Sequence, residues 1–215
     1  MEGTGLVPQQ LTTLKQQIMD WANRQDWADA LVQSFISMAE QKFNSDLRVD
    51  RMIQNNVGLI ASRCAPIPDD WLEYDLIQVQ NSCAPSGFSP IRYKSRDEFF
   101  NLKDNIAWGY YTIEGRQIYF GGTPDQVNGI IFKSSYYGEV PVLNDIADSW
   151  IETKYPSLYL WASLATAALH AVGEEQSSAN FTGMTDKTIA ALNAAHLRAK
   201  ASGSRITKTR TRSFG

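Results

Sequence analysis

From Leu158 to Ala171 the chain has almost no polar face, and no other run limits its possible folds as strongly. Leu158, Tyr159, Leu160, Trp161, Leu164 and Leu169 spread around a helical wheel with alanines between them. A helix apolar on every side must be buried on every side. In 215 residues that means the centre of a bundle, or a surface sealed by neighbouring subunits. The alanines allow other helices to approach closely, while Tyr159 and Trp161 supply large areas to bury. Pro156 lies in the first turn, where the backbone N–H has no intrahelical partner. Upstream, Pro141 and Asn144-Asp145 read as turns, and downstream Gly173 reads as a C-cap.

Two helices are predicted near the N-terminus. Leu11, Leu14, Ile18 and Trp21 recur at helical spacing up to about Asn23-Arg24. Asp26 then reads as the N-cap of a second helix reaching about Leu47. Its stripe is Trp27, Leu31, Phe35, Met38 and Phe43, widened by Val32, Ile36 and Ala39. Asp29, Glu40, Lys42 and Asp46 are expected on a solvated face. A last helix, with Phe181, Met184, Ile189, Leu192 and Ala195 inward, is expected to end near Lys200. Ala201-Ser202-Gly203-Ser204 would form a flexible joint behind it.

Between these helical stretches the pattern changes. Short β-rich runs at Leu72 to Val79, Ile91 to Tyr93, Gly109 to Ile113, Gln117 to Phe120 and Ile130 to Tyr137 alternate with proline, glycine and serine. Glu114-Gly115 reads as a tight hairpin turn, because glycine accepts positive φ without strain. Ser95 and Glu98 have capping-box spacing, predicting a short helix over 96–102. Pro85-Ser86-Gly87 reads as an accessible loop. The expected fold class is α+β: a helical bundle from the N- and C-terminal helices, an inserted small antiparallel β-rich subdomain, and a flexible basic C-terminal arm. The expected boundaries are a disordered 1–8, a bundle from 9–51 and 142–200, the insertion at 52–141, and an extended arm at 201–215.

Composition excludes several function classes. A hydrophobic content of 43% with 20% charged residues describes an ordinary globular chain, and no apolar run approaches the ~20 residues of a membrane span. Residues 1–10 lack the basic start and apolar centre of a signal peptide, so the expectation is assembly in the cytoplasm. Cys64 and Cys83 do not match a zinc spacing, and His170 and His196 are the only histidines, so no metal or cofactor is expected. Reduced thiols are the default there, with a disulfide left open. Asp69-Asp70 after Pro68 reads as a turn, since adjacent residues point to different sides. Gly121-Gly122-Thr123-Pro124 lacks the lysine of a phosphate loop. His170 reads as a packed core residue. No catalytic constellation emerges, so the chain is not expected to be an enzyme.

Charge is distributed unevenly. No acidic side chain follows Asp186, while Arg198, Lys200, Arg205, Lys208, Arg210 and Arg212 are all positive. Residues 1–197 hold 14 basic against 23 acidic groups, a net of −9. An acidic body with a basic end calls for a partner. Alternation of basic residues with Ile206 and threonines favours an extended strand, ending in Phe214-Gly215, that could span roughly 40 Å at ~3.3 Å per residue. Composition alone leaves open a solvated end or a phosphate-binding tail.

Four segments, taken in chain order, are more specific than any periodicity. They are Phe35 to Arg48 with its F-I-x-x-A-E-x-x-x-N-x-D-L-R pattern, Ile67 to Val79 beginning I-P-D-D-W-L-E, Tyr110 to Asp125 with Y-x-I-x-G-x-x-I, and Tyr136 to Ala171. Together they resemble the head-to-tail adaptor proteins of tailed phages over about residues 11–199. Gly121-Gly122 stands where that family often has a proline-rich turn. The resemblance implies a virion protein at the head-to-tail junction, a ring, partners in the portal and a downstream tail or nozzle protein, and double-stranded DNA that passes without specific binding. Twelve-fold symmetry, matching the portal, is expected. It also implies that a C-terminal arm, here Arg205, Ile206, Lys208, Arg210, Arg212 and Phe214, inserts among portal subunits. Phe35, Trp150, Tyr155, Tyr159 and Trp161 are the expected bundle and ring-packing residues. The alternative is a small DNA-binding protein acting through its basic tail.

Overall fold

Helix α1 (Gln9–Ala22) buries Leu11, Leu14 and Ile18 and ends at Asn23, whose φ of 52° is the left-handed cap conformation. The N–H of Arg24 reaches Met19 O at 2.9 Å and that of Asn23 reaches Asp20 O at 3.1 Å, so two of the last carbonyls are satisfied. The structure, a computed structural model, describes residues 9–81, 84–101, 109–123, 127–144, 149–170 and 174–208. It divides into two compact units, one comprising residues 1–50 and 140–215, the other Arg51–Glu139. The predicted turn residue Asp145 and cap Gly173, like Cys83, lie outside the described residues.

In the first unit α2 (Asp29–Asp46), α4 (Trp150–Lys154) and α6 (Glu175–Lys208) join α1 around α5 (Pro156–His170), which packs against all four. The apolar segment is therefore the bundle centre, but it is not sealed all round. Leu158, Tyr159, Ala162, Leu164 and Ala167 are buried, whereas Leu169 is 66% exposed and His170 is exposed. The helix ends there, beyond the reach of a complete ring of neighbours. On α2, Val32, Phe35, Ile36, Ala39 and Phe43 are buried as expected, while Met38 is 49% exposed. Trp21 of α1 is likewise exposed. Asp26 does not cap α2: the helix begins after Ala28, and no side chain caps it.

The C-terminal helix differs most from expectation. Among its predicted inward residues Ile189 is buried, but Met184 and Ala195 are exposed and Phe181 and Leu192 half-buried; Ser178, Thr185 and His196 take core positions instead. Small hydroxyls fit there because Ser178 and Thr185 return their O–H to Ala165 O (2.7 Å) and Phe181 O (2.9 Å). The helix also continues through the expected joint to Lys208. Gly203 costs only about 1 kcal/mol relative to alanine, no proline interrupts the ladder, and Ser202 Oγ donates back to Ala199 O at 2.8 Å. Residues 209–215, with Arg210, Arg212 and Phe214, lie outside the described residues.

The second unit holds two four-stranded sheets. One has the order β1 (Ile53–Leu59), β8 (Ile131–Gly138), β3 (Trp71–Asn81), β4 (Ala84–Pro90), every pair antiparallel. The other has the order β2 (Cys64–Pro66), β7 (Gln117–Phe120), β6 (Tyr110–Glu114), β5 (Arg92–Tyr93), with β5 and β6 parallel. A shared core of Ile77, Val79 and Phe132 from the first and Tyr111, Ile118 and Phe120 from the second binds them. The α+β class and the Glu114–Gln117 hairpin, with Gly115 at φ 60°, match the sequence reading. So does α3 (Arg96–Asn101), capped by Ser95 Oγ at 3.4 Å from the Glu98 N–H. Asp69-Asp70 is a turn, held by Arg116 and by the Tyr136 hydroxyl at 2.9 Å.

β1, β2 and β4 were not legible. Ser62 and Arg63, both at positive φ, form the two-residue turn that joins β1 to β2, a backbone shape for which Asn-Gly is the usual sequence signal. Gly58 in β1 is required by packing: a Cβ there would lie 2.6 Å from the Phe132 ring. Pro85-Ser86-Gly87, read as a loop, belongs to edge strand β4, where proline is tolerated because one side needs no donor.

Candidate functional site: polar clasps and the basic end of the helical unit

Glu40 on α2 was expected in solvent and is instead 5% exposed. Its Oε1 accepts from the Leu143 N–H at 2.6 Å and from the Tyr159 hydroxyl at 3.1 Å. One turn along, Asn44 Oδ1 accepts from the Val140 N–H at 2.8 Å. Two side chains at i, i+4 spacing thus clasp the segment where the chain re-joins the helical unit. The signal was available: Glu40 follows Ile36 by four residues and precedes Phe43 by three, so it lies on the apolar stripe.

The departing segment is held in the same way by α6. Asn193 donates from Nδ2 to Asp46 O and accepts the Arg48 N–H at Oδ1, both at 2.8 Å. Arg48 Nη1 folds back onto Asn44 O and Leu47 O, and His196 Nδ1 lies 2.6 Å from Asp50 Oδ1. Each polar group here satisfies backbone or a neighbouring charge. Their chemistry is positional.

A second carboxyl, Glu152 of α4, is also buried, and its Oε2 meets no hydrogen-bond partner. Burial raises its pKa from 4.5 to about 7. Burial likewise raises the Glu40 carboxyl, against the opposing hydrogen bonds from Leu143 and Tyr159. The Tyr159 phenol is pushed up by burial as well, so it remains a neutral donor to Glu40. Ser149 caps α4 by accepting the Ile151 N–H at 3.3 Å.

Of the residues singled out from sequence, the structure brings Phe35 and Tyr159 into the bundle core. Phe35 packs between Trp27 (5.3 Å between centroids) and His170 (5.7 Å), and Tyr159 meets Phe43 edge-on at 5.0 Å. Trp150, Tyr155 and Trp161 are half-buried, at the start of α4, between α4 and α5, and on α5. Arg205, Ile206 and Lys208 occupy the last turns of α6, so this part of the basic end is helical rather than extended. Among the described residues no group of three His, Cys, Asp or Glu side chains could hold a metal ion, and no helix is long and apolar enough to cross a membrane.

A central apolar helix, side-chain clasps that hold the segments entering and leaving the helical unit, and a last helix that ends in basic sequence characterise this chain of α+β class. Residues 9–211 match the family model for the SU10 adaptor protein, and the chain belongs to that family. It is thus a phage head-to-tail adaptor, from a structural rather than an enzymatic family. No curated protein matches the sequence.

Proposed function

We propose that the protein forms a ring beneath the portal, with the portal's twelve-fold symmetry, and links the capsid to the downstream tail or nozzle protein. Membership of the adaptor family over residues 9–211 carries this reading. The ring would line the conduit for double-stranded DNA. A body with net charge −9 supports that role, because acidic walls repel phosphates and keep DNA sliding. Phe35 and Tyr159 hold the bundle together, while the half-buried Trp150, Tyr155 and Trp161 keep surface for a neighbouring copy. Assembly takes place in the host cytoplasm and is templated by the portal, since weak heterologous contacts reinforce one another once a template aligns them.

The portal-docking element is the end of α6 with the arm beyond it: Arg205, Ile206, Lys208, Arg210, Arg212 and Phe214. Residues 197–202 are exposed on a helix about 50 Å long, which supports its role as a projecting strut. Deleting 209–215 should abolish portal binding in light scattering while leaving the melting temperature within a degree or two. Phe214→Ala should weaken docking by more than ~1 kcal/mol, as buried aromatic anchors do. The six positive charges from Arg198 onward also favour a second reading, duplex binding by the tail. Tight, steeply salt-dependent duplex binding without portal affinity would establish it in place of the first.

A further inference from the structure

Glu152 is buried on a helix of only five residues. A helix that short has no stability of its own and keeps its shape through what it packs against. On α4 those supports are few. Ile151 is fully buried, Ser149 caps the first turn, and the Tyr155 N–H bonds to Ile151 O at 2.6 Å. From α1, Gln10 Nε2 donates to Thr153 Oγ1 at 3.1 Å, while Gln10 Oε1 is itself buried without a partner.

The two buried carboxyls of the bundle are held differently. Glu40 lies on the 18-residue α2, and its Oε1 accepts from two donors. Glu152 Oε2 accepts from none. The titratable groups around Glu152 do not relieve it. From α5 comes Tyr159, whose phenol lies in the field of both Glu152 and Glu40 of α2. From α1 comes the uncharged Gln10, and Lys154 on α4 itself is exposed. No described cation opposes the effect of burial on the Glu152 carboxyl. An ionised carboxylate in such a place must find water, and the element with the fewest contacts is the one that moves.

We propose that α4 is a latch controlled by one proton: it stays docked on α5 and α1 while Glu152 is protonated, and opens locally to hydrate the carboxylate once the proton is lost. Trp150 and Tyr155, half-buried at its two ends, become accessible with it. The sign follows from linkage. The docked carboxyl titrates near 7 and a hydrated one near 4.5, so the docked form binds the proton more tightly. The opening constant therefore rises about tenfold per pH unit between those values and levels off above about pH 7.

Amide hydrogen exchange of the full-length protein, corrected for intrinsic rates, tests this at pH 5 and pH 7.5. Peptides spanning 149–155 should be less protected than those in α2 and the middle of α5 at both values. Their protection should also fall by at least about tenfold between pH 5 and 7.5. In Glu152→Gln the same peptides should keep their protection across that range, whereas Glu40→Gln should retain the fall. Protection in 149–155 equal to that of α5 would overturn the inference, because α4 would then open only when the whole unit unfolds. Protection that is low but independent of pH would overturn it too, by showing that α4 moves without exposing Glu152. An undiminished fall in Glu152→Gln would assign the proton to another group and overturn it equally. The wild-type profile decides the first two outcomes without any variant.

Discussion

Replacing Glu40 by leucine removes the acceptor of the Leu143 N–H and of the Tyr159 hydroxyl together. A buried donor left unpaired costs about 1–3 kcal/mol, so Glu40→Leu should lower the unfolding free energy measured in urea by an amount near the top of that range. Glu40→Gln keeps a carbonyl acceptor and should cost markedly less. Equal effects from the two variants would show that the clasp contributes nothing. Glu152 makes the complementary prediction in pH. Its folded pKa of about 7 exceeds the ordinary 4.5, so the folded state holds the proton more tightly. Its stability contribution is complete below about pH 4.5 and is lost as pH rises through about 7, with a ceiling of roughly 3 kcal/mol at ~1.4 kcal/mol per unit. Glu40, also raised, acts in the same direction, so the comparison must be with Glu152→Gln rather than with theory. That variant should melt higher than wild type at pH 8 and lose less stability between pH 5 and 8. Parallel melting curves for the two proteins would refute the assignment.

Helix α5 shows what an element's neighbours do to its energetics. Leu158 is fully buried and Leu169 is 66% exposed on the same helix. Leu158→Ala should therefore cost about 2–5 kcal/mol, and Leu169→Ala no more than about 0.5, in chemical denaturation. Similar losses at both positions would mean that the helix is sealed on all sides after all. In β1 the limiting contact is between backbone and ring. Gly58→Val must displace the Phe132 ring and should destabilise by about 1–3 kcal/mol, whereas Val57→Thr on the outer face should be nearly neutral. A neutral Gly58→Val would show that the ring moves freely.

For the whole molecule, the charge asymmetry is the property that bears on assembly. Residues 1–197 carry the net −9, so a chain lacking 198–215 should show no duplex binding in a gel-shift experiment even at low salt. The intact chain alone should scatter light as a small species and shift to a larger complex only when portal is added. A mixture that never exceeds the size of the portal would count decisively against the adaptor role. Both expectations concern long-range charge and avidity, which no single contact controls.

Several features were legible because their causes are local. Pro156 at the start of α5, Asn23 at the end of α1, Ser95 before α3 and Gly115 in the β6–β7 hairpin each act within four or five residues. Apolar spacing likewise predicted the buried faces of α1 and α2, and the mixture of helical and β-rich stretches established the α+β class. The tertiary structure decided the rest, because burial depends on what arrives from elsewhere in the chain. Glu40 is buried only because Leu143 and Tyr159, 103 and 119 residues away, bring a donor to it. β1 is a strand only because β8 offers an edge, and its apolar residues face outward because Phe132 occupies the space inside. The C-terminal helix runs past its glycine because nothing forces the chain to turn there, and the cost of Gly203 is too small to end it.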